Sequence, residues 1–142
     1  MGGKEAERID ASAGRAARRV LVADDDASIR TYLAAMLSGD GWEVDWCEDG
    51  VSALEAARSG AHELLILDVL MPRLTGLEVL REVRAWGSRV PVMLISGTLW
   101  DGVIRAASAM SGPTVCLAKP FGPADVRRAL ARLGEAVRRG FG

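Results

Sequence analysis

Histidine occurs once and cysteine twice in this chain of 142 residues, and each scarcity closes off a class of chemistry. One histidine and two separated cysteines cannot supply the clustered nitrogen and sulfur ligands that hold zinc or copper. Cys47 and Cys116 both lie inside apolar runs, and the opening residues do not read as a secretory signal. Free buried thiols in a cytoplasmic protein are therefore expected rather than a disulfide. No apolar stretch approaches the ~18 residues of a membrane-spanning helix. Ala6 stands where an N-myristoylation signal carries serine or threonine, so no membrane role is expected. An excess of one charge is also missing. With 18 basic and 19 acidic residues the net charge is -1, which gives no overall pull toward nucleic acid. The late arginines Arg127, Arg128, Arg132, Arg138 and Arg139 are interleaved with Asp125 and Glu135, the pattern of a solvated helix face, so no nucleic-acid partner is expected.

What remains is the composition of an ordinary globular domain, 49% hydrophobic and 26% charged. The length suits one domain with its own core. Residues 1–18 are rich in glycine, alanine and charge without an apolar period and read as a flexible tail; the folded domain is expected over 19–139. There, short apolar runs alternate with helical patterns, the signature of repeated βα units around a parallel sheet. Strands are expected near 19–23, 43–47, 64–68, 91–96 and 114–118, and helices near 27–38, 51–59, 76–86, 102–110 and 123–138. Ile29, Leu33, Met36 and Leu37 form one apolar stripe, Leu77, Leu80 and Val83 a second, and Val126, Leu130, Leu133 and Val137 a third. Five strands and five helices in alternation, joined by right-handed crossovers, give a doubly wound three-layer α/β sandwich with strand order 2-1-3-4-5.

Chemistry-bearing residues recur where these strand-like runs stop. Asp24, Asp25 and Asp26 follow Val20-Leu21-Val22-Ala23, Asp68 follows Leu64-Leu65-Ile66-Leu67, Ser96 follows Val92-Met93-Leu94-Ile95, and Lys119 follows Val115-Cys116-Leu117-Ala118. The C-terminal strand ends share one edge of a parallel sheet, and ligands bind in the crevice outside it. Carboxylates gathered there repel one another unless a proton or cation intervenes. A hard divalent ion such as Mg2+ suits an all-oxygen set and leaves room for a phosphate. Lys119 then offers charge, Ser96 a hydrogen bond, and Asp68, alone at its strand end, a nucleophilic carboxylate. Asp26 reads as the N-cap of the first helix. His62, just ahead of the third strand, reads as a solvated loop residue.

The same residues give the chain its likeness to a known family. Val20-Leu21-Val22-Ala23-Asp24-Asp25-Asp26, Leu67-Asp68-Val69-Leu70-Met71-Pro72 with Gly76, Ile95-Ser96-Gly97 and Lys119-Pro120-Phe121 together resemble the receiver domain of two-component response regulators, over about residues 19–138. That resemblance implies the flavodoxin-like fold. It also implies that Asp68 accepts a phosphoryl group from a histidine kinase or a histidine phosphotransfer protein. Metal ligation by Asp25, Asp68 and the Leu70 backbone carbonyl, with Asp24 acting largely through water, is implied with it, as are contacts of Ser96 and Lys119 with the phosphoryl oxygens. The Lys119-Pro120 bond is expected to be cis.

Departures from the family pattern are informative. Cys116 stands where the family usually carries an aromatic switch residue, so the signal is expected to move the Gly97-Thr98-Leu99-Trp100 loop instead. Thr75 replaces a common acid ahead of Gly76, a change confined to turn chemistry. Leu70 and Thr98 occupy the positions where the family tunes hydrolysis of the phosphoaspartate. The reading is of a regulatory phosphoacceptor, not an enzyme, acting on a downstream protein target, either alone or as one receiver of a longer chain. Two alternatives stay open: a binding-only receiver that is not phosphorylated, and a phosphohydrolase with an aspartyl nucleophile.

Overall fold

The computed structural model describes residues 18–97 and 100–141. The expected N-terminal tail lies outside the described residues, apart from Arg18, which opens the first strand. Five strands, β1 (Arg18–Ala23), β2 (Trp42–Cys47), β3 (Leu64–Asp68), β4 (Val92–Ser96) and β5 (Thr114–Ala118), alternate with five helices. These are α1 (Ala27–Gly39), α2 (Gly50–Arg58), α3 (Gly76–Ala85), α4 (Trp100–Ser108) and α5 (Pro123–Ala136). All strand pairs are parallel, in the order β2-β1-β3-β4-β5, as the alternation requires.

Every residue of β3 and β4 is buried. Central strands of a sheet covered on both faces lose the polar alternation of half-exposed strands, which is why these runs are continuously apolar. On one face Leu21, Leu65, Leu67 and Leu94 pack against Ala53 of α2, Val79, Leu80 and Val83 of α3, and Val103 and Ala107 of α4. On the other, Val20, Val22, Ile66, Met93 and Ile95 meet Leu33 and Leu37 of α1 and Val126, Ala129 and Leu133 of α5. Two apolar cores thus hold the sheet between layers of helices.

Local chemistry starts α1, α2, α3 and α5. Asp26 accepts from Ser28 N at 2.8 Å and caps α1 as expected, and Asp49 does the same for α2 through Ser52 N at 2.8 Å. Thr75 forms a reciprocal capping box with Glu78 on α3, so this threonine does serve turn chemistry. Pro123 opens α5, and the Asp125 carboxylate accepts from Gly122 N at 2.8 Å.

Three expectations need correction. Val137 is not core: α5 gives way there to a wider π-helical turn, Val137–Phe141, and the side chain is 40% exposed. The two cysteines are free, but half-buried rather than fully buried. His62 is not solvated. Its side chain is only 6% exposed, with Nε2 2.7 Å from Asp45 Oδ2. Glu63 N donates to Arg19 O at 2.8 Å, and this backbone bond draws the loop beneath the β1–β2 pair, where Arg19 also donates to Asp45 and Glu43. Burial pushes the Asp45 carboxyl upward, but the bonds from His62 and Arg19 outweigh it and hold its pKa below the usual value.

At the N-terminal ends of β4 and β5, Arg84 is half-buried without a carboxylate. Its Nη1 donates to Val90 O at 2.7 Å and Ser88 O at 3.2 Å, and Nη2 to Pro113 O at 2.9 Å and Thr114 Oγ1 at 3.1 Å. Burial, with a smaller contribution from Arg89, lowers its pKa to about 10. Gly112, at φ +98°, leaves the room this guanidinium fills: a Cβ there would stand 2.6 Å from Arg84 Cζ.

Candidate functional site

β1 and β3 are neighbours at the point where the chain switches direction across the sheet, and their C-terminal ends carry Asp24 and Asp68. Asp24 is fully buried and Asp68 is 4% exposed, while Asp25 faces solvent. Oxygen atoms of these three carboxylates lie within 4.8 Å of one another. Lys119, at the end of β5, places Nζ 3.2 Å from Asp24 Oδ2 and 3.3 Å from Asp68 Oδ2. Ser96 closes β4 and is 2% exposed; its carbonyl accepts from Lys119 N at 2.9 Å, which ties the hydroxyl-bearing and amine-bearing strand ends together. All of the expected polar residues therefore converge on one edge.

The backbone below Asp68 is held closely. Val69 N donates to Ile95 O at 2.8 Å, and Gly76 N donates back to Val69 O at 2.9 Å. A Cβ on Gly76 would stand 2.5 Å from Asp68 O and 3.0 Å from Asp68 C, so only glycine lets α3 start this close to the acid. Leu70 is 53% exposed beside the cleft. The Lys119-Pro120 bond is cis, as expected.

Two buried acids facing one lysine leave the cluster short of positive charge. Burial is the main reason that the Asp68 carboxyl rises to about 6; Asp24 adds repulsion, and Lys119 opposes both. Burial also works against the Lys119 ammonium, but Asp68 and Asp24 outweigh it and hold its pKa above the usual lysine value. Asp24 Oδ2 is buried without a hydrogen bond, and the Lys119 ammonium at 3.2 Å is the cation that faces it. A compact all-oxygen set with an under-partnered buried oxygen fits a hard divalent cation.

One residue of the site has no counterpart in the sequence reading. Arg30, one turn into α1, donates from Nη1 to the Asp24 backbone carbonyl at 2.9 Å, and its guanidinium lies over the ring of Trp46 with Cζ 4.4 Å from the ring centroid. The signal was its spacing: position 30 lies one helical turn after the Asp26 cap, next to the acidic loop. Cys116 sits on β5 opposite Leu94, packed against the core beneath α3 and α4, and burial pushes its thiol up. Thr98, Leu99 and the Trp100 side chain, on which the expected loop signal falls, lie outside the described residues.

A parallel α/β sandwich with acids, hydroxyl and lysine on the C-terminal edge defines a class, and comparison with known proteins names the family. The profile described as "Response regulator receiver domain" matches residues 20–131, and the chain belongs to that family of two-component signalling domains. It is 41% identical over 122 residues to the response regulator MprA of Mycobacterium ulcerans, across 85% of this chain and 50% of that protein. The MprA of Mycobacterium tuberculosis strain H37Rv is 40% identical, across 85% and 51%. The chain thus spans about half the length of these curated relatives. The solved chemotaxis response regulator CheY4 of Vibrio cholerae is similar in structure, with a TM-score of 0.75 and 31% identity over 83% of this chain and 99% of that one. A receiver domain of a sensor histidine kinase from Pseudomonas aeruginosa, with a magnesium ion coordinated in its active-site cleft, has a TM-score of 0.71 and 28% identity over 84% and 99%. Among the described residues no helix is long and apolar enough to cross a membrane.

Proposed function

We propose that this receiver accepts a phosphoryl group on Asp68 in a Mg2+-dependent reaction and passes the signal on through protein contacts in the cytoplasm. The observation that carries the reading is the convergence of Asp24, Asp25, Asp68 and Lys119 within one cleft, with Asp68 buried and short of positive charge. The donor is the phosphohistidine of a histidine kinase or of a histidine phosphotransfer protein. An O–P bond forms from an Asp68 carboxylate oxygen while the donor's P–N bond breaks, its electron pair returning to the imidazole. Lys119, already poised between two carboxylates, turns to a phosphoryl oxygen once Asp68 carries the acyl phosphate, and the Ser96 hydroxyl donates to another.

Asp25, Asp68 and the Leu70 carbonyl would hold Mg2+, with Asp24 acting largely through water. Bound there, the cation supplies neutralising charge to the phosphoryl oxygens in transit. The magnesium in the Pseudomonas aeruginosa receiver supports this assignment.

Intact-mass measurement after incubation with a small acyl phosphate tests the reading. A gain of one phosphoryl group is expected with Mg2+, and no gain without it or in Asp68→Ala. Absence of any gain in the wild type overturns the proposal. Leu70, exposed and apolar at the mouth of the cleft, cannot orient a hydrolytic water. Leu70→Asn is therefore expected to shorten the phosphoryl lifetime; an equal or longer lifetime contradicts that role.

A further inference from the structure

The backbone N, the carbonyl oxygen and Oδ1 of Asp24 are each hydrogen-bonded, and one of those bonds comes from outside the strand-end residues. Its N donates to Cys47 O at 3.2 Å, Oδ1 accepts from Asp26 N at 2.9 Å, and Oδ2 faces Lys119. Its carbonyl oxygen accepts from Arg30 Nη1 at 2.9 Å. That carbonyl belongs to the planar peptide unit whose nitrogen is Asp25 N, so fixing the oxygen fixes the plane from which Asp25 departs. Asp25 is the one exposed carboxylate of the three and has the most freedom to lose.

Arg30 is itself braced. Its guanidinium lies 4.4 Å from the centroid of Trp46, a stacking distance at which the ring face attracts a cation and restricts a long side chain. Trp46 is 55% exposed at the outer strand β2, so burial alone does not explain a tryptophan there. Support for Arg30 does.

We propose that Arg30, braced on Trp46, is a positioning residue for the divalent cation. It pins the Asp24–Asp25 peptide plane so that the Asp25 carboxylate is presented to the cation in one orientation. The proposal rests on the Mg2+ reading given above. It also separates two effects of one side chain. The positive charge of Arg30 opposes cation binding, whereas its hydrogen bond favours it, so removing Arg30 mixes opposite contributions. Removing its brace leaves the charge in place and isolates the positioning effect.

The test is calorimetric titration of the full chain with MgCl2, on wild type, Trp46→Ala and Trp46→Phe, and on Arg30→Ala with and without Trp46→Ala. Trp46→Ala is expected to weaken Mg2+ binding about threefold, the scale of a lost exposed cation–π contact. Trp46→Phe, which keeps a ring face, is expected to restore most of the affinity. In the Arg30→Ala background, Trp46→Ala is expected to have no further effect, because coupled residues fail to add. Unchanged affinity in Trp46→Ala, or the same loss with and without Arg30, overturns the positioning role while leaving the Mg2+ reading intact. No Mg2+ binding by the wild type overturns both.

Discussion

The two ends of the sheet hold buried charge in opposite ways. At the N-terminal end both Nη atoms of Arg84 donate, to three carbonyls and a hydroxyl, and only its Nε is left without an acceptor; nearby, the half-exposed Asp45 carboxylate is matched by Arg19 and by His62 Nε2, with His62 Nδ1 unpaired. At the C-terminal end two buried acids share one lysine, and Asp24 Oδ2 has no hydrogen bond. Charge that its neighbours largely match is structure, since breaking it strands polar groups away from water. Unsatisfied charge is a standing cost that a bound cation or a phosphoryl group can relieve. A receiver needs both: one end to keep the sheet rigid, the other to remain responsive.

Substitutions of opposite sign sharpen that contrast. Arg84→Ala removes a donor from four acceptors at once, of which Pro113 O keeps Val92 N, and is expected to destabilise the fold by about 3 kcal/mol, read from chemical denaturation. A loss within experimental error would remove the claim that this end is structural.

Asp68→Asn should act the other way. With its folded pKa near 6 and an unfolded value of about 4, Asp68 binds its proton more tightly in the native protein. Native stability therefore falls as pH rises from about 4 to 6, because the unfolded chain releases this proton first. In the metal-free protein Asp68→Asn is expected to gain on the order of 2 kcal/mol at pH 7, with the gain fading toward pH 4. A gain independent of pH, or a loss at pH 7, would contradict the account of the acidic end.

The smallest effect belongs to the exposed surface rather than to a buried cluster. Arg128 pairs with Asp125 at 2.5 Å on an exposed stretch of α5, and Arg128→Ala is expected to change stability by less than about 1 kcal/mol. A larger change in the same denaturation experiment would show that pair counting, rather than burial, governs the energetics.

The functional end was easier to read from sequence than the structural end, for a physical reason. Strands β1, β3, β4 and β5 each carry a continuous apolar run, so the polar residues that end them stand out, and Asp24, Asp68, Ser96 and Lys119 mark the site by recurrence alone. Element boundaries agree to within two residues for the same reason. What escaped depends on tertiary reach. Arg84 and Arg30 look like ordinary helix-surface arginines until the carbonyls they meet are in view, carbonyls supplied by other segments. His62 appears as a loop residue until the Glu63–Arg19 bond folds it under β2. Val137 fits the apolar period of α5, but the helix widens there and turns it outward.

The most direct test locates the phosphoryl group chemically. After reaction with acyl phosphate and Mg2+, borohydride reduction converts a phosphorylated aspartate to homoserine, and peptide mass mapping reads the position. The account predicts homoserine at position 68 and at no other acid of the cluster. Conversion at Asp24 or Asp25, or a phosphoryl group retained on Ser96, would contradict it.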